Sequence, residues 1–309
     1  MKILIELPTW LGDTVMVTPA MDNIISHYNK PEITIIGSFV SIEVIKNHPK
    51  VVKAEVLKKN YISLYKIAKN LGQFDVYFSF RSSFRSRIFK LLISSKNKYQ
   101  FKRNKYQNCH QVEKYNHYIN DCLKTDFKAG KLNIKPSLNS SFNYSDPVVG
   151  INPGSTYGEA KRWYSEEYAE VCAKLSLQYN IVIFGGPGEE DIAVDIEKSL
   201  IEKGILNYQN LSGKTSISEL VDYISNLDLF ITGDSGPMHI AASFQVPTVA
   251  LFGPTRDDET SQWMNPKSII VKENLDCQPC MKRVCPLKHH DCMNLIKAAD
   301  VLKAVQSLN

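Results

Sequence analysis

Short runs of apolar and β-branched residues alternate along the chain with longer amphipathic stretches. The runs have the length of buried β-strands, and the stretches between them have the spacing of helices with one apolar side. Strands that alternate with helices over short connections are typical of parallel sheets covered on both faces. The predicted strands are Ile3–Leu7, Ile33–Ile36, Val51–Val56, Val76–Phe80, Val148–Asn152, Ile181–Phe184, Leu229–Thr232 and Thr248–Phe252.

A polar segment divides this pattern into two halves. Pro136–Pro147 is rich in Ser and Asn and is bounded by prolines, which is typical of a linker. A chain of 309 residues is long enough for two domains. We predict an α/β fold with two Rossmann-like doubly wound domains, at residues 1–146 and 147–309, that face each other across a cleft. The last helix, at about residues 294–308, is expected to pack back on the first domain.

The composition is that of a globular protein, with 43% hydrophobic and 22% charged residues. No apolar run approaches the roughly 18 residues that a membrane span needs. The first apolar run contains Glu6 and is followed by Pro8, so it is predicted as a strand and not as a signal peptide. The expected location is the cytoplasm, where the seven cysteines stay reduced.

Positive charge is concentrated in the first half of the chain. Residues 1–146 carry 23 Lys and Arg against 11 Asp and Glu, whereas residues 147–309 carry 14 against 21. Residues 81–105 hold nine bases and no acid. Arg81, Arg85 and Arg87 directly follow a predicted strand, and the guanidinium fork suits phosphate groups. The first half therefore suits a polyanion: nucleic acid, an anionic membrane surface or an acidic glycolipid. A solvated helix face is the alternative.

One stretch, Asp228–Ala242, combines a predicted strand, a break at Gly233 and a predicted helix. Asp234 or Ser235 can cap this helix, and Pro237 suits its first turn. Free N–H groups and the helix dipole at the end of a parallel strand are typical of phosphate sites. Three more turns of this kind occur at residues 8–13, 153–161 and 184–190. The alternative is an ordinary capped turn.

The turn at residues 153–161 places two glycines and two hydroxyl groups before Lys161 and Arg162. Amides, hydroxyls and an ammonium group on a flexible loop suit a diphosphate, although the spacing is not that of a P-loop. In the turn at residues 184–190, Glu189 stands where a helix is predicted to begin. Its carboxylate can accept hydrogen bonds from ribose hydroxyls, or it can merely favour the helix dipole.

Four motifs together resemble the bacterial lipopolysaccharide heptosyltransferase family, which comprises inverting glycosyltransferases (family 9) of the two-Rossmann-domain GT-B architecture. The Ala160–Trp163 form is most similar to members that add the second heptose of the inner core. The motifs follow in order along residues 1–255: Trp10–Asp13 with Thr18–Ala20, Asn152–Gly154 with Gly158–Trp163, Phe184–Pro187, and Asp234–His239.

The resemblance implies transfer of a heptose from ADP-L-glycero-D-manno-heptose to a lipid A–Kdo–heptose acceptor, with inversion at the anomeric carbon. It implies no required metal or other cofactor and no nucleic-acid partner. It also implies a cytoplasmic enzyme that lies peripherally on the inner face of the cytoplasmic membrane. A transferase of the same fold for another core position or another nucleotide sugar remains an alternative.

The resemblance also assigns roles to residues. Asp13 is the expected general base, Lys161 and the amides near Gly236 hold the donor phosphates, and the basic domain binds the acceptor. From the residues alone, Asp13 is equally an N-cap of a helix that starts at Thr14, and His239 is equally a buried helix residue. Tyr157 stands where some relatives have a second Thr. The expected pocket residues for ADP or heptose are Thr156, Glu189, Thr215, Asp234, Ser235 and His239, and those for the acceptor are Arg81, Arg85 and Arg87.

Four cysteines lie close together near the end of the chain. Cys277, Cys280, Cys285 and Cys292 stand within 16 residues, which invites a structural zinc site. The spacing differs from paired CxxC knuckles, so reduced, packed cysteines are favoured over zinc. With the basic first half, the cluster also leaves open another class of function, a nucleic-acid-binding protein with a zinc knuckle. Against that class, the bases are not interleaved with stacking aromatic residues.

Overall fold

The computed structural model describes residues 1–58, 60–137 and 146–308. Its contacts divide the chain into two units, Met1–Pro136 and Ser137–Asn309. The sequence places this boundary ten residues later, at the end of the predicted linker, and residues 138–145 of that linker lie outside the described residues. No helix in the described ranges combines the length and the hydropathy needed to cross a bilayer.

The first unit is a five-stranded parallel sheet with the strand order β3-β2-β1-β4-β5. Apolar side chains of β1 and β2 are fully buried, as expected for central strands covered on both faces. The elements are β1 (Lys2–Glu6), α1 (Leu11–Met16), α2 (Thr18–His27), β2 (Glu32–Gly37), α3 (Phe39–Ile45), β3 (Val51–Val56), α4 (Tyr61–Asn70), β4 (Gln73–Ser79), α5 (Phe84–Leu92), β5 (Ser94–Gln100) and α6 (Gln111–Leu123).

The second unit is a six-stranded parallel sheet with the strand order β11-β10-β9-β6-β7-β8. Its elements are β6 (Val148–Asn152), α7 (Ser165–Leu175), β7 (Asn180–Ile183), α8 (Glu190–Glu202), β8 (Tyr208–Asn210), α9 (Ile217–Ser225), β9 (Leu229–Gly233), α10 (Gly236–Ser243), β10 (Thr248–Phe252), α11 (Asp257–Thr260), β11 (Ser268–Lys272), α12 (Asp291–Asn294) and α13 (Ala298–Gln306). The prediction of two doubly wound α/β domains is confirmed in its two parallel sheets.

All eight predicted strands form, within a few residues of their predicted ends. Three strands were not predicted: β5, β8 and β11. Each lies at or next to a sheet edge, and β5 has the polar sequence Ser94–Gln100. β5 and β8 are polar, as edge strands commonly are, so they lack the apolar run by which a buried strand is recognised. β11 does contain a short apolar run, Ile269–Val271, which was a usable signal.

The sequence also predicts a single helix from Thr14 to Tyr28, but the structure has two helices there, so that prediction was wrong. α1 begins at Leu11 and ends at Met16, and α2 begins at Thr18. Pro19 has no N–H group and cannot continue the hydrogen-bond ladder of α1. The hydroxyl of Thr18 donates to the carbonyl of Val15 instead, at 2.7 Å.

The last helix lies in the core of the second unit. Val301 and Val305 of α13 belong to the same buried cluster as Trp163 and Tyr168, and α13 packs against α7. The indole N–H of Trp163 donates to the carbonyl of Ile296, just before α13, at 3.0 Å. The described contacts of α13 therefore lie within the second unit.

Gly150, in the middle of β6, tests how tightly this core is packed. A Cβ atom there would lie 2.5 Å from Leu227, 2.8 Å from Phe184 and 3.1 Å from Phe230. We expect Gly150→Ala to lower the free energy of unfolding by about 1–3 kcal/mol because the core must shift to admit a methyl group. The control is Gly130→Ala, where no heavy atom lies within 4 Å of the added Cβ. Equal melting temperatures for the two variants would contradict this prediction.

Candidate functional site

The loops of the second sheet converge where its strand order reverses. From β6 the chain proceeds outward to β7 and β8, and it then returns to place β9 on the other side of β6. The loops after β6 and β9 therefore leave neighbouring strands on the two sides of this reversal. Open α/β sheets bind their ligands beyond the carboxyl ends of the strands at such a point.

A buried ion pair joins these two loops. The ammonium of Lys161 lies 2.6 Å from Asp234 Oδ2, and it also donates to the Asp234 carbonyl at 3.0 Å. The hydroxyl of Thr255, in the loop after β10, donates to the same Oδ2 at 2.7 Å. Only 11% of the Lys161 side chain and 7% of the Asp234 side chain are exposed. Lys161 is therefore a positioned cation that an incoming anion would have to share with Asp234.

Tyr157 lies between two cations. Its ring centroid is 4.7 Å from Lys161 Nζ and 5.3 Å from Arg283 Cζ. Its hydroxyl donates to the carbonyl of Met281 at 2.7 Å. Tyr157 thus joins the loop after β6 to residues 277–292, which we call the cysteine-bearing segment. Arg283 of this segment is a second cation, which was not predicted from the sequence.

Glu189 holds the loops after β6 and β7 together. Its carboxylate accepts hydrogen bonds from the Thr156 hydroxyl at 3.1 Å and from the Gly186 N–H at 2.9 Å. Gly154 packs directly against this carboxylate, leaving no room for a Cβ atom. Thr215 follows β8 in the adjoining loop, where the Gly213 N–H donates to the Gly185 carbonyl at 2.9 Å.

The N-terminus of α10 completes this edge of the sheet. Ser235 is the N-cap residue by backbone position, but its side chain does not cap the helix. Its hydroxyl lies 3.0 Å from that of Thr232. Gly236 begins the helix, Pro237 lies in the first turn as predicted, and His239 is buried. The first-turn N–H groups of α10 thus lie near the Lys161–Asp234 pair and favour negative charge.

The cysteine-bearing segment packs on the same loops. The Ala160 N–H donates to the carbonyl of Arg283 at 3.0 Å, and His290 Nε2 lies 2.9 Å from the carbonyl of Ala160. The Met281 N–H donates to the carbonyl of Pro254 at 2.8 Å. The segment therefore supports the candidate site.

The four thiols of this segment line one small cavity of about 20 Å³ together with His289 and His290. Burial and the neighbouring thiols raise the pKa of Cys292 to about 11. Within the described residues, no three His, Cys, Asp or Glu side chains are arranged as ligands of one metal ion. The choice between structural zinc and reduced, packed cysteines stays a prediction.

The first sheet also carries a candidate site where its strand order reverses, between β1 and β4. Glu6 ends β1 and is 1% exposed. Its carboxylate accepts hydrogen bonds from Tyr77 at 2.5 Å, from Ser79 at 2.6 Å and from Ser86. Arg81 follows β4, and its guanidinium lies 3.8 Å from Glu6. Glu6 thereby ties the start of the basic segment to the end of the central strand.

Asp13 lies in the first turn of α1, where its charge favours the helix dipole. The N-cap of α1 is Trp10, so the proposed N-cap role for Asp13 was wrong. The hydroxyl of Tyr115, on α6, donates to Asp13 Oδ1 at 3.3 Å. Burial, followed by the Asp13 charge, raises the pKa of Tyr115 well above its ordinary value, so its phenol stays protonated.

The other two arginines of the predicted acceptor set have different surroundings. Arg85 donates from Nη2 to the carbonyl of Lys58, and burial beside Arg81 lowers the pKa of its guanidinium. Arg87 is exposed on α5. The structure thus places Arg81 at the end of the strand and Arg87 on the outer surface of α5.

The sequence matches the family description "Glycosyltransferase family 9 (heptosyltransferase)" over residues 72–290. The chain belongs to glycosyltransferase family 9. This membership confirms the resemblance and the enzyme class, and it displaces the nucleic-acid-binding alternative.

Relatives cover the whole chain. It is 41% identical over 317 residues to lipooligosaccharide heptosyltransferase 2 of Campylobacter jejuni, covering 100% of this chain and 98% of the relative. The structure of E. coli ADP-heptose LPS heptosyltransferase II has a TM-score of 0.83 at 21% identity, covering 100% and 98% of the two chains. E. coli heptosyltransferase WaaC with ADP has a TM-score of 0.79 at 13% identity and covers both chains fully. The fold of this family 9 member is therefore that of heptosyltransferases.

Four residues that belong to one or the other candidate site were not predicted from the sequence: Glu6, Tyr115, Thr255 and Arg283. An acid inside an apolar run was a usable signal for Glu6, because a buried carboxylate needs partners. The other three have no local signal, since each is defined by a contact with a residue far away in the chain.

We expect Glu6→Gln to lower the free energy of unfolding by about 2–3 kcal/mol, because the three hydroxyls all donate to Oε2, where a neutral amide oxygen accepts more weakly than a carboxylate, and because the amide no longer faces Arg81 with a charge. Urea unfolding measures this loss. The matched control is Glu32→Gln, at the exposed start of β2. The prediction is wrong if both variants unfold at the urea concentration of the unmodified protein.

Proposed function

We propose that this protein transfers a heptose from ADP-L-glycero-D-manno-heptose to a heptose of the lipopolysaccharide or lipooligosaccharide inner core, with inversion at the anomeric carbon. The observation that carries the proposal is the full-length 41% identity to the Campylobacter lipooligosaccharide heptosyltransferase 2. The fold match to a heptosyltransferase with bound ADP supports a donor of the ADP class.

In this proposal the second unit binds the donor. Lys161 and the first-turn N–H groups of α10, from Gly236 onward, hold the diphosphate, and the positioned ammonium supplies a charge-assisted contact. The remaining expected lining of the ADP or heptose pocket is Thr156, Glu189, Thr215, Asp234, Ser235 and His239. Asp234 holds Lys161 in place before the anion binds.

The transfer itself is a single in-line displacement. The acceptor hydroxyl oxygen forms a bond to the anomeric carbon while the bond from that carbon to the diphosphate oxygen breaks, and ADP leaves with the electron pair. Asp13 takes the proton of the attacking hydroxyl. Tyr115, by donating to Oδ1, orients the Asp13 carboxylate and favours its ionised form.

The first unit binds the acceptor in this proposal. The acceptor, a lipid A–Kdo–heptose glycolipid, is anionic, and Arg81, Arg85 and Arg87 begin the basic segment that would face it. An acceptor anchored in the inner leaflet places the enzyme in the cytoplasm, peripherally on the cytoplasmic membrane. The chemistry calls for no cofactor beyond the donor substrate.

The donor class is tested by thermal stabilisation with ADP-, UDP- and GDP-sugars and with the bare nucleotides. We expect only the adenine nucleotides to raise the melting temperature, because binding to the folded state alone stabilises it. Heptose transfer from ADP-heptose to a purified inner-core acceptor then tests the reaction. Stabilisation by UDP- or GDP-sugars alone would overturn the proposed donor.

The role of Lys161 needs a matched comparison because Lys161→Ala alone leaves the Asp234 carboxylate buried without its cation. Asp234→Asn is therefore compared with Asp234→Asn/Lys161→Met by calorimetric titration with ADP. We expect the second variant to bind ADP about 10- to 150-fold more weakly, as follows from losing one charge-assisted contact of roughly 1.5–3 kcal/mol. Lys203→Met, which removes an exposed ion pair with Glu170, is the control. Equal ADP affinity in the two test variants rules out a direct contact.

The general base is tested by Asp13→Asn, which keeps the shape of the side chain. We expect kcat to fall by about 10²- to 10⁴-fold with a nearly unchanged melting temperature and ADP affinity. Tyr115→Phe is expected to keep most activity but to move the acid limb of the kcat/KM profile to higher pH, since the carboxylate loses a donor. A folded Asp13→Asn enzyme with turnover within a few-fold of the original removes Asp13 from the mechanism.

A further inference from the structure

The net positive charge of the first half comes from one segment. Residues 57–105 hold 13 Lys and Arg and one acid, Asp75, so their net charge of +12 equals that of the whole stretch 1–146. This segment contains α4 and α5, which cover the same face of the first sheet. Leu64 and Ala68 of α4 and Phe89 of α5 share one buried cluster with Tyr77 of the sheet.

The outer side of α5 is apolar as well as basic. Phe84, Arg87 and Leu91 follow each other at helical spacing along its exposed side. Phe84 is 70% exposed and Leu91 is 80% exposed. Apolar residues with this spacing ordinarily face a core, but the core-facing side of α5 is a different one, formed by Ser86 and Phe89.

The outer side of α4 has the same character. Tyr61, Ile62 and Tyr65 are 54%, 72% and 55% exposed, respectively. Lys66 and Lys69 lie on the same side of the helix, whereas Leu64 and Ala68 lie on the buried side. Each helix thus has a second apolar side, bordered by bases, that is turned away from the sheet.

The exposed sides of the two helices are joined at both ends. At the N-terminal ends, Arg85 of α5 donates to the carbonyl of Lys58, just before α4. At the C-terminal ends, Tyr65 of α4 and Leu92 of α5 line one open cavity of about 470 Å³, together with Lys69. We refer to this continuous surface as the α4–α5 face: Tyr61, Ile62, Tyr65, Phe84, Leu91 and Leu92 with Lys66, Lys69, Arg87 and Lys90.

We propose that the α4–α5 face binds the surface of an anionic lipid bilayer. Aromatic and aliphatic side chains on the outer side of a helix can enter the headgroup boundary, and lysines beside them are attracted to anionic headgroups. The positive charge of the segment complements an anionic surface. Charge alone does not explain why large apolar side chains are exposed beside the bases, whereas insertion into a bilayer does. Phe84 also lies next to Arg85 and near Arg81, so a lipid-anchored acceptor would leave the bilayer close to the end of β4.

This inference rests on the proposed function for its purpose, since the proposed acceptor is a glycolipid, but its test is independent of catalysis. The full chain is floated with vesicles of phosphatidylcholine alone and of phosphatidylcholine mixed with phosphatidylglycerol. We expect binding to the anionic vesicles, weakened by added salt because exposed charges are screened. Equal binding to both kinds of vesicle, or to neither, overturns the proposal.

Variants separate the α4–α5 face from exposed apolar surface in general. Phe84→Ser/Leu91→Ser is expected to weaken vesicle binding roughly tenfold or more. The control, Leu177→Ser/Leu206→Ser, removes two leucines that are 84% and 82% exposed in the second unit, and it is expected to bind like the original. Lys66→Glu/Lys69→Glu is likewise expected to lose roughly tenfold or more, with Lys174→Glu/Lys198→Glu as its control. Equal losses in test and control variants overturn the proposal.

Two further readouts exclude other occupants and separate the two proposals. The first readout is light scattering. If the protein is a dimer that Phe84→Ser/Leu91→Ser dissociates, the α4–α5 face binds a second copy of the chain, and the proposal of bilayer binding is overturned. With ADP-heptose, this variant is expected to lose activity on acceptor in vesicles but to keep kcat/KM on a deacylated, water-soluble acceptor. If no heptose is transferred to either acceptor while vesicle binding follows the variants as expected, the proposed function fails and the docking surface stands.

Discussion

A buried charge at the end of a central strand organises the candidate site in each sheet. Glu6 ends β1 and is held by hydroxyl groups from β4 and α5, and Asp234 follows β9 and is paired with Lys161 from the loop after β6. A buried charge must be paired or hydrogen-bonded. Glu6 therefore fixes β1 to β4 and α5, and Asp234 fixes the loop after β9 to the loop after β6. Both charges lie where the strand order of their sheet reverses, which is where open parallel sheets bind ligands.

The loop that presents Lys161 depends on a segment more than 100 residues later in the chain. Arg283, Met281 and His290 contact it through the Ala160 backbone and the Tyr157 side chain. The cysteine-bearing segment therefore supports the candidate site of the second unit, and its four thiols line a small cavity next to these loops. The cysteine spacing alone gives no indication that this segment contacts the loop of Lys161.

The basic charges of the first unit divide into two groups with different surroundings. Arg81 lies against the buried carboxylate of Glu6 and is held at the end of a strand, where a positioned guanidinium can select a ligand. Arg87, Lys66 and Lys69 lie on exposed helix sides next to apolar side chains, where they suit an extended anionic surface. The glycolipid acceptor that we propose would present both kinds of anionic feature, a phosphorylated head and the bilayer that carries it.

The sequence by itself determined the eight apolar strands, the two doubly wound units and the strand-to-helix connections near Asp13, Lys161 and Gly236. These features follow from local apolar runs and from glycine, proline and capping residues next to them. Only the tertiary structure decided the polar strands β5 and β8, the N-cap of α1 and the partners of Asp13 and Lys161. The physical reason is that a polar edge strand is defined by its hydrogen bonds to a neighbouring strand. The partners of a charged side chain are likewise residues that the fold brings next to it, as Tyr115 lies 102 residues from Asp13 along the chain. Such contacts leave no periodic signal along the chain.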